Sequence, residues 1–374
     1  MTDYEIRLGT SLNDDEEKPA KSSEPVLGSV QEAETASEEN ERGPAEEQHQ
    51  EVRVEEQPQA AQVETEPFVA EEQPQAAQVE TEPFVAEEQP EPEKSKKKDR
   101  PSTTGSAAKG MLSFFTILPV DAERSDIDAM NQNFWLTPVL IGIFYGMLAV
   151  ISFFIFQWLF NPTLGIILTM ALLIVMNRML HLDGLMDTAD GLTVAGTHED
   201  HVRALKDTHV GAGGIVAVLV VTIATLFAYM SYGLQGAFIM LFVGEVIAKT
   251  TQVAAAAFGE PGNGMAGDSV RYTDKDKFIL SYLASIVVCA IWAALMSWIL
   301  LTVWDIAWTR GDTYFVIAVA LAAVVAPLWG VVMAKLANKN FGYVNGDVLG
   351  ASNETGRLAV LLMFTMFLGL LFRI

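Results

Sequence analysis

The chain has a single cysteine, Cys289, which lies inside an apolar run. A disulfide framework is therefore excluded, and a lone apolar cysteine reads as packing. No apolar run of signal-peptide length occurs in the opening MTDYEIRLGTSLNDDEEK, so a secretory leader is not expected. Positive charge is scarce too: 24 Lys and Arg stand against 47 Asp and Glu. With no basic surplus, nucleic acid is not expected as a partner.

The deficit is uneven. Residues 1–100 hold 28 acids and 10 bases, whereas residues 101–374 hold 19 and 14. The low pI thus belongs to the front segment and says little about the rest. That segment is Glu, Gln, Pro, Ala and Ser, and EEQPQAAQVETEPFVA at 55–70 recurs at 71–86 before decaying into EEQPEPEK. Two polar copies are too few for a solenoid. Such a segment cannot bury enough apolar surface to offset the entropy of ordering. Residues 1–108 are expected to be a disordered acidic tail; a solvated tail is the favoured reading, and a docking role for the two EPFVA patches is the lesser alternative. The tail ends in KSKKKDR (94–100), a basic cluster suited to an anionic cytoplasmic leaflet.

What is abundant lies in 109–374, where long apolar runs predict an all-α, polytopic membrane helix bundle. A bilayer core of roughly 30 Å needs about 20 apolar residues per helix. Seven segments qualify: 134–160, 164–182, 213–233, 236–258, 278–303, 313–336 and 357–373. MLSFFTILPV (111–120) is too short to span and reads as an interfacial or re-entrant helix stopped by Pro119. Basic residues favour the N-terminus and the even loops, among them Arg203, Lys206, Arg271, Lys275, Lys277, Lys335, Lys339 and Arg357. The positive-inside rule places these in the cytoplasm of a cell-membrane protein. The polar stretches 183–212, 259–277 and 337–356 then share one face, where they can form one site.

The first stretch contains HLDGLMDTADG. On an ideal helix Asp183, Asp187 and Asp190 sit at roughly 0°, 40° and −20°, on one narrow face. Carboxylates so close repel one another, and a divalent cation removes that cost. Oxygen ligands favour Mg²⁺, Mn²⁺ or Ca²⁺, and Mg²⁺ commonly combines few carboxylates with substrate phosphates. A solvated helix end is the bland alternative. His181 points away from this face and reads as packing or a hydrogen bond, and Gly184 is able to break the helix. In THEDHVRALKDTHVGAGG, Thr197 and Asp200 read as a capping box. Arg203 and Asp207 have pairing spacing, and the glycines from Gly211 offer N–H groups to a phosphate. In the third stretch Asp347 and Glu354 share a helix face, Asn353 is adjacent, and Lys335 and Lys339 are placed to hold an anion. Glu245 and Lys249 form an i,i+4 pair inside the fourth span, either structural or functional.

These stretches, in this order, resemble the adenosylcobinamide-GDP ribazoletransferase (cobalamin synthase) family. LHLDGLMDTADGL (180–192) is similar to its central signature, LKDTHVGAGG (205–214) to its second block, GYVNGDVLGASNE (342–354) to its C-terminal block and FFTILPV (114–120) to its N-terminal motif. The likeness covers about 110–374. Two departures stand out: AAAFGEPGNGMAG lacks an expected arginine, which Arg271 would have to supply, and His209 replaces a basic residue. The resemblance implies transfer of phospho-cobinamide from adenosylcobinamide-GDP to α-ribazole, or its 5′-phosphate, with release of GMP. It implies Mg²⁺ on Asp183, Asp187 and Asp190, with Asp207 or Asp347 completing the metal shell or taking a proton. Lys206, Lys335 or Lys339 would face phosphate, Gly211 would bind substrate, and Asn353 and Glu354 would contact nucleotide or metal. The bilayer is the other partner, and a homo-oligomer is compatible with the sequence. The rival readings are an intramembrane prenyltransferase acting on a diphosphate and, from another class, a secondary transporter.

Overall fold

The computed structural model describes residues 103–303 and 310–372. The acidic repeat, its EPFVA patches and the KSKKKDR cluster lie outside the described residues. Among the described residues the chain is helical throughout. A first group comprises α1 (Thr104–Phe115), α2 (Arg124–Gln132), α3 (Ile143–Leu159, led in by a 3₁₀ turn and a π turn), α4 (Pro162–Met176), α5 (Leu180–Thr193) and α6 (His198–Leu205). It is followed by α7 (Ala212–Met230), α8 (Gly233–Phe258), α9 (Gly264–Tyr272), α10 (Lys275–Val303), α11 (Arg310–Asn340) and α12 (Gly346–Phe372).

α1 begins at Thr104, inside the stretch expected to be disordered. The Thr103 hydroxyl caps it by accepting from the Ser106 N–H at 3.1 Å, and Ala107 and Met111 are fully buried. It stops at Phe115, ahead of Pro119, where the Thr116 hydroxyl donates back to the Leu112 carbonyl at 2.6 Å. α8 is the axis of the bundle. It packs against α3, α7, α10, α11 and α12, and its apolar stretch is buried throughout. The outer helices turn apolar side chains outward, such as Ile223 and Phe227 on α7, Ile291 on α10 and Leu328 on α11. A lipid-facing surface has this character, with every backbone polar group satisfied inside its own helix.

Among the described residues five helices are long and apolar enough to cross a membrane, six if α4 and α5 count as one broken span. The expected seven is thus approximate. The segment 164–182 is no straight crossing: α4 and α5 meet at 84° across Asn177–Met179. The polar stretch 337–356 is not a loop either, because α12 starts at Gly346 and carries GDVLGASNETGR in its first turns.

Candidate functional site

The bend between α4 and α5 builds the site. Arg178 and Met179 have φ of 57° and 60°, a left-handed conformation that costs roughly 1–2 kcal/mol per non-glycine residue. Surrounding bonds hold it. The Arg178 guanidinium donates to the Thr116 carbonyl from Nε at 3.1 Å and from Nη2 at 2.6 Å, and to the Ser113 carbonyl at 2.5 Å. Those carbonyls belong to the unsatisfied end of α1. The Ile117 N–H donates to the Met176 carbonyl at 2.7 Å. FFTILPV and the residues before HLDGLMDTADG are therefore latched together, and α5 is aimed across the end of α12.

There the two backbones touch. A Cβ on Gly184 would stand 2.7 Å from the Asp347 carbonyl oxygen, and one on Gly350 would stand 3.2 Å from His181 Cα. Gly184 does not break α5; it lets α12 approach. The contact sets Asp347 beside Asp183 and Asp187, close enough for Asp183, Asp190 and Asp347 all to act electrostatically on Asp187. The Asn345 amide donates to Asp347 Oδ2 at 2.7 Å. No ion pair among the described residues includes Asp183, Asp187 or Asp347. Asp183 is exposed, and Asp187 and Asp347 are half-buried.

Asp190 shares the face but is engaged differently. Its Oδ2 accepts from the Gly211 N–H and its Oδ1 from the Gly214 N–H, each at 2.7 Å. The N-terminus of α7, expected to offer Gly211 to a phosphate, is thus already satisfied by a carboxylate of the same chain, as its dipole favours. Among the described residues no three His, Cys, Asp or Glu side chains close into a metal cage.

The second stretch forms a rim beside this cluster. Thr197 and Asp200 make the expected capping box on α6. Arg203 pairs with Asp200 at 3.5 Å rather than with Asp207, because Asp207 follows the end of α6 and turns to His209. Asp207 Oδ1 accepts from the His209 backbone N–H and lies 2.9 Å from its Nδ1. An open hollow of about 750 Å³ separates α6 from residues 341–343, with Arg203, Lys206 and Asp207 on one side and Tyr343 on the other. Lys206 Nζ lies 5.9 Å from the centre of the Tyr343 ring. Phe341, which lines the hollow, closes with Leu205 on Gly191, one turn beyond Asp187.

Beneath the cluster a second set of charges is buried inside the bundle. Glu245 pairs with Arg357 at 3.1 Å, not with Lys249, and Arg357 also pairs with Glu354 at 2.7 Å. Lys249 instead donates to Asn353 Oδ1 at 2.6 Å and lies 3.5 Å from His181 Nδ1. The i,i+4 reading fails because α12 brings a stronger partner to Glu245. Arg357, counted above as a loop base, is only 4 % exposed. Asn353 and Glu354 are likewise buried and face this network.

Residues 107–365 match the family model described as cobalamin-5-phosphate synthase. The chain belongs to that family. Relatives named adenosylcobinamide-GDP ribazoletransferase include one from Methanocella arvoryzae, 32 % identical over 67 % of this chain and 91 % of the relative. One from Methanosarcina mazei is 27 % identical over 71 % and 93 %, and one from Pyrococcus furiosus is 27 % identical over 68 % and 97 %. No solved structure matches the chain.

As a synthase-family member with several apolar spans, the chain is a multi-pass membrane protein. The structure gathers Asp183, Asp187, Asp190 and Asp347 at one end of the bundle, with Gly211 held by Asp190. It sets Lys206 and Asp207 on the hollow. Lys335 and Lys339 are exposed along α11 and form no ion pair among the described residues. Arg271 pairs with Asp268 on its own helix, α9. The 259–263 segment joins the site by a different route: the Val344 N–H donates to the Glu260 carbonyl at 2.7 Å. Sequence reasoning passed over Arg178, Tyr343 and the partnership of Arg357. Only the last had a local signal, the E-x-x-R spacing from Glu354.

Proposed function

We propose that the chain transfers phospho-cobinamide from adenosylcobinamide-GDP to α-ribazole, or its 5′-phosphate. The products are adenosylcobalamin, or its 5′-phosphate, and GMP. The observation that carries this reading is the crossing of α5 over α12, where Asp183, Asp187 and Asp347 meet without a cationic side chain among them. Uncompensated carboxylates at a bundle end fit a site that takes up a cation together with an anionic substrate.

The donor set suits Mg²⁺: it is all oxygen, with neither thiolate nor imidazole. With Asp190 held by backbone N–H groups, Asp183 and Asp187 remain as direct ligands. Mg²⁺ accepts so few carboxylates when substrate phosphate oxygens complete its shell. Bound there, it would neutralise charge on the diphosphate and on the leaving phosphate. Lys206 at the hollow, and Lys335 and Lys339 along α11, supply further positive charge for phosphate oxygens.

In the transfer, a ribose hydroxyl oxygen bonds to the phosphorus attached to the cobinamide side chain. The bond from that phosphorus to the bridging oxygen breaks, and GMP leaves with that oxygen. The hydroxyl proton passes to a carboxylate. The backbone N–H of His209, and then its ring, hold the Asp207 carboxyl below its ordinary range, which makes it a poor base. Asp347, packed against α5 beside Asp183 and Asp187, is the assigned acceptor. Asn353 and Glu354 act from beneath, fixing α12 rather than touching nucleotide. The positive-inside pattern, now without Arg357, still puts this end of the bundle on the cytoplasmic side of the cell membrane.

The full chain in detergent, given adenosylcobinamide-GDP, α-ribazole and Mg²⁺, should release GMP, and chelation should stop it. Absence of GMP under these conditions would sink the reading.

A further inference from the structure

The hollow between α6 and residues 341–343 is lined by none of the carboxylates assigned to the phosphorus chemistry. Phe341, which lines the hollow, packs on Gly191, four residues beyond Asp187 and about 6 Å along α5. The hollow is thus a neighbour of the carboxylate cluster, within reach of one arm of a ligand whose diphosphate sits at Asp183 and Asp187. The wall has fixed parts. Val344 is bridged to Pro261, and the Gly262 N–H donates to the Val344 carbonyl at 3.3 Å. A Cβ on Gly262 would stand 2.8 Å from the Tyr343 ring, so glycine there lets the backbone brace the aromatic. Gly342, at φ +79°, keeps the rim beside His198 free of a side chain. The result is a braced aromatic platform, with the Lys206 ammonium 5.9 Å from its centre and the Glu199 carboxylate also lining the hollow.

We propose that this hollow seats the guanosine of the GDP-bearing substrate, with the base stacked on Tyr343, Lys206 toward the phosphates and Glu199 toward the N–H edge of guanine. The assignment rests on the transfer reading above and adds to it which substrate arm goes where. The chemistry of the lining separates the two nucleobases of the reaction. Guanine offers N–H donors that a carboxylate accepts. The dimethylbenzimidazole of α-ribazole has no N–H to give Glu199, so it would leave that carboxylate unused and rely on Val202 and Phe341 alone for its methyl groups. Stacking on a braced aromatic suits a flat base, which would take the place of the Lys206 ammonium over the ring and leave that ammonium for the phosphates.

The test uses GDP alone, titrated calorimetrically into the full chain in detergent micelles with Mg²⁺. Tyr343→Ala should weaken GDP roughly tenfold or more, the usual loss when a base loses its stacking partner, while Tyr343→Phe should bind as the parent does. Inosine diphosphate, which lacks the exocyclic amine, should bind more weakly than GDP, and Glu199→Ala should erase that preference. In turnover, Tyr343→Ala should raise KM for adenosylcobinamide-GDP and leave KM for α-ribazole unchanged. On the unaltered chain, an 8-azidoguanosine diphosphate label should attach within 198–207 or 341–345, a result that does not depend on any variant folding. Labelling confined to other segments, unchanged GDP affinity in a folded Tyr343→Ala, or a KM shift for α-ribazole alone would overturn the assignment. If GDP binds through Tyr343 but complete substrates release no GMP, the guanosine seat stands and the transfer reading falls.

Discussion

Two sets of charged side chains share the α5–α12 crossing and differ in how their charge is met. At the end of the bundle Asp183, Asp187 and Asp347 crowd together, and among the described residues no Lys, Arg or His pairs with them. Inside it, Glu245 and Glu354 are matched by Arg357, and Lys249 is held by Asn353. Charge of one sign left unmatched in a folded chain costs stability, and it is retained where a ligand will neutralise it. Charge matched in place costs less and fixes which helices pack together. On the proposed function the first set serves the chemistry and the second the architecture. A transporter was one way to read charges inside the membrane. The pairing of Glu245 with Arg357 gives them an architectural role instead.

The comparison breaks most visibly at Asp187. Asp187→Asn removes a repelling charge and a proposed Mg²⁺ ligand while preserving shape. GMP release should fall roughly a hundred- to a thousandfold or further, while the thermal midpoint of the detergent-solubilised chain stays level or rises. A fall in the midpoint to match the lost activity would move Asp187 into the architectural set.

Arg357→Met should behave in the opposite way. It leaves two buried carboxylates, Glu245 and Glu354, with Lys249 as the one basic side chain still acting on both, and breaking a buried pair in this way costs about 3–5 kcal/mol. The variant should be scarce in membranes and unfold early by thermal scan. Adding Glu354→Leu alone, which leaves Glu245 and Lys249 as one carboxylate and one ammonium inside the bundle, should recover much of that loss. If Arg357→Met alone is as stable as the parent, the buried pairs are not what holds α8 to α12.

How much of this was readable beforehand follows from the range of each interaction. The alignment of Asp183, Asp187 and Asp190 was legible because helical periodicity is local, and the helical positions of most spans followed from their apolar length. The break at Arg178 and Met179 was not legible. Neither residue favours the left-handed region, and what holds them there is the end of α1, sixty residues upstream. The partner of Glu245 was misread for a similar reason: an i,i+4 rule sees only its own helix, whereas Arg357 lies 112 positions away. Span counting led to the expectation that the three polar stretches share one face; the contact of α5 with α12 that brings the first and third together depends on Gly184 and Gly350. In a membrane chain such glycines are indistinguishable from ordinary packing glycines.

Asp190 lies between the two sets and gives the smallest and most discriminating effect. It sits on the carboxylate face, yet its oxygens are both taken by the N–H groups of Gly211 and Gly214. If its role is to tie α7 to α5, Asp190→Asn, which keeps one acceptor oxygen, should lower stability by about 1 kcal/mol or less. GMP release should then fall far less than in Asp187→Asn, and the Mg²⁺ concentration for half-maximal rate should stay near that of the parent. If Asp190 instead swings onto the metal during turnover, Asp190→Asn will match Asp187→Asn in rate and will demand more Mg²⁺. Measuring rate against Mg²⁺ for the two variants side by side decides whether a carboxylate already satisfied by backbone N–H groups belongs with the architecture or with the chemistry.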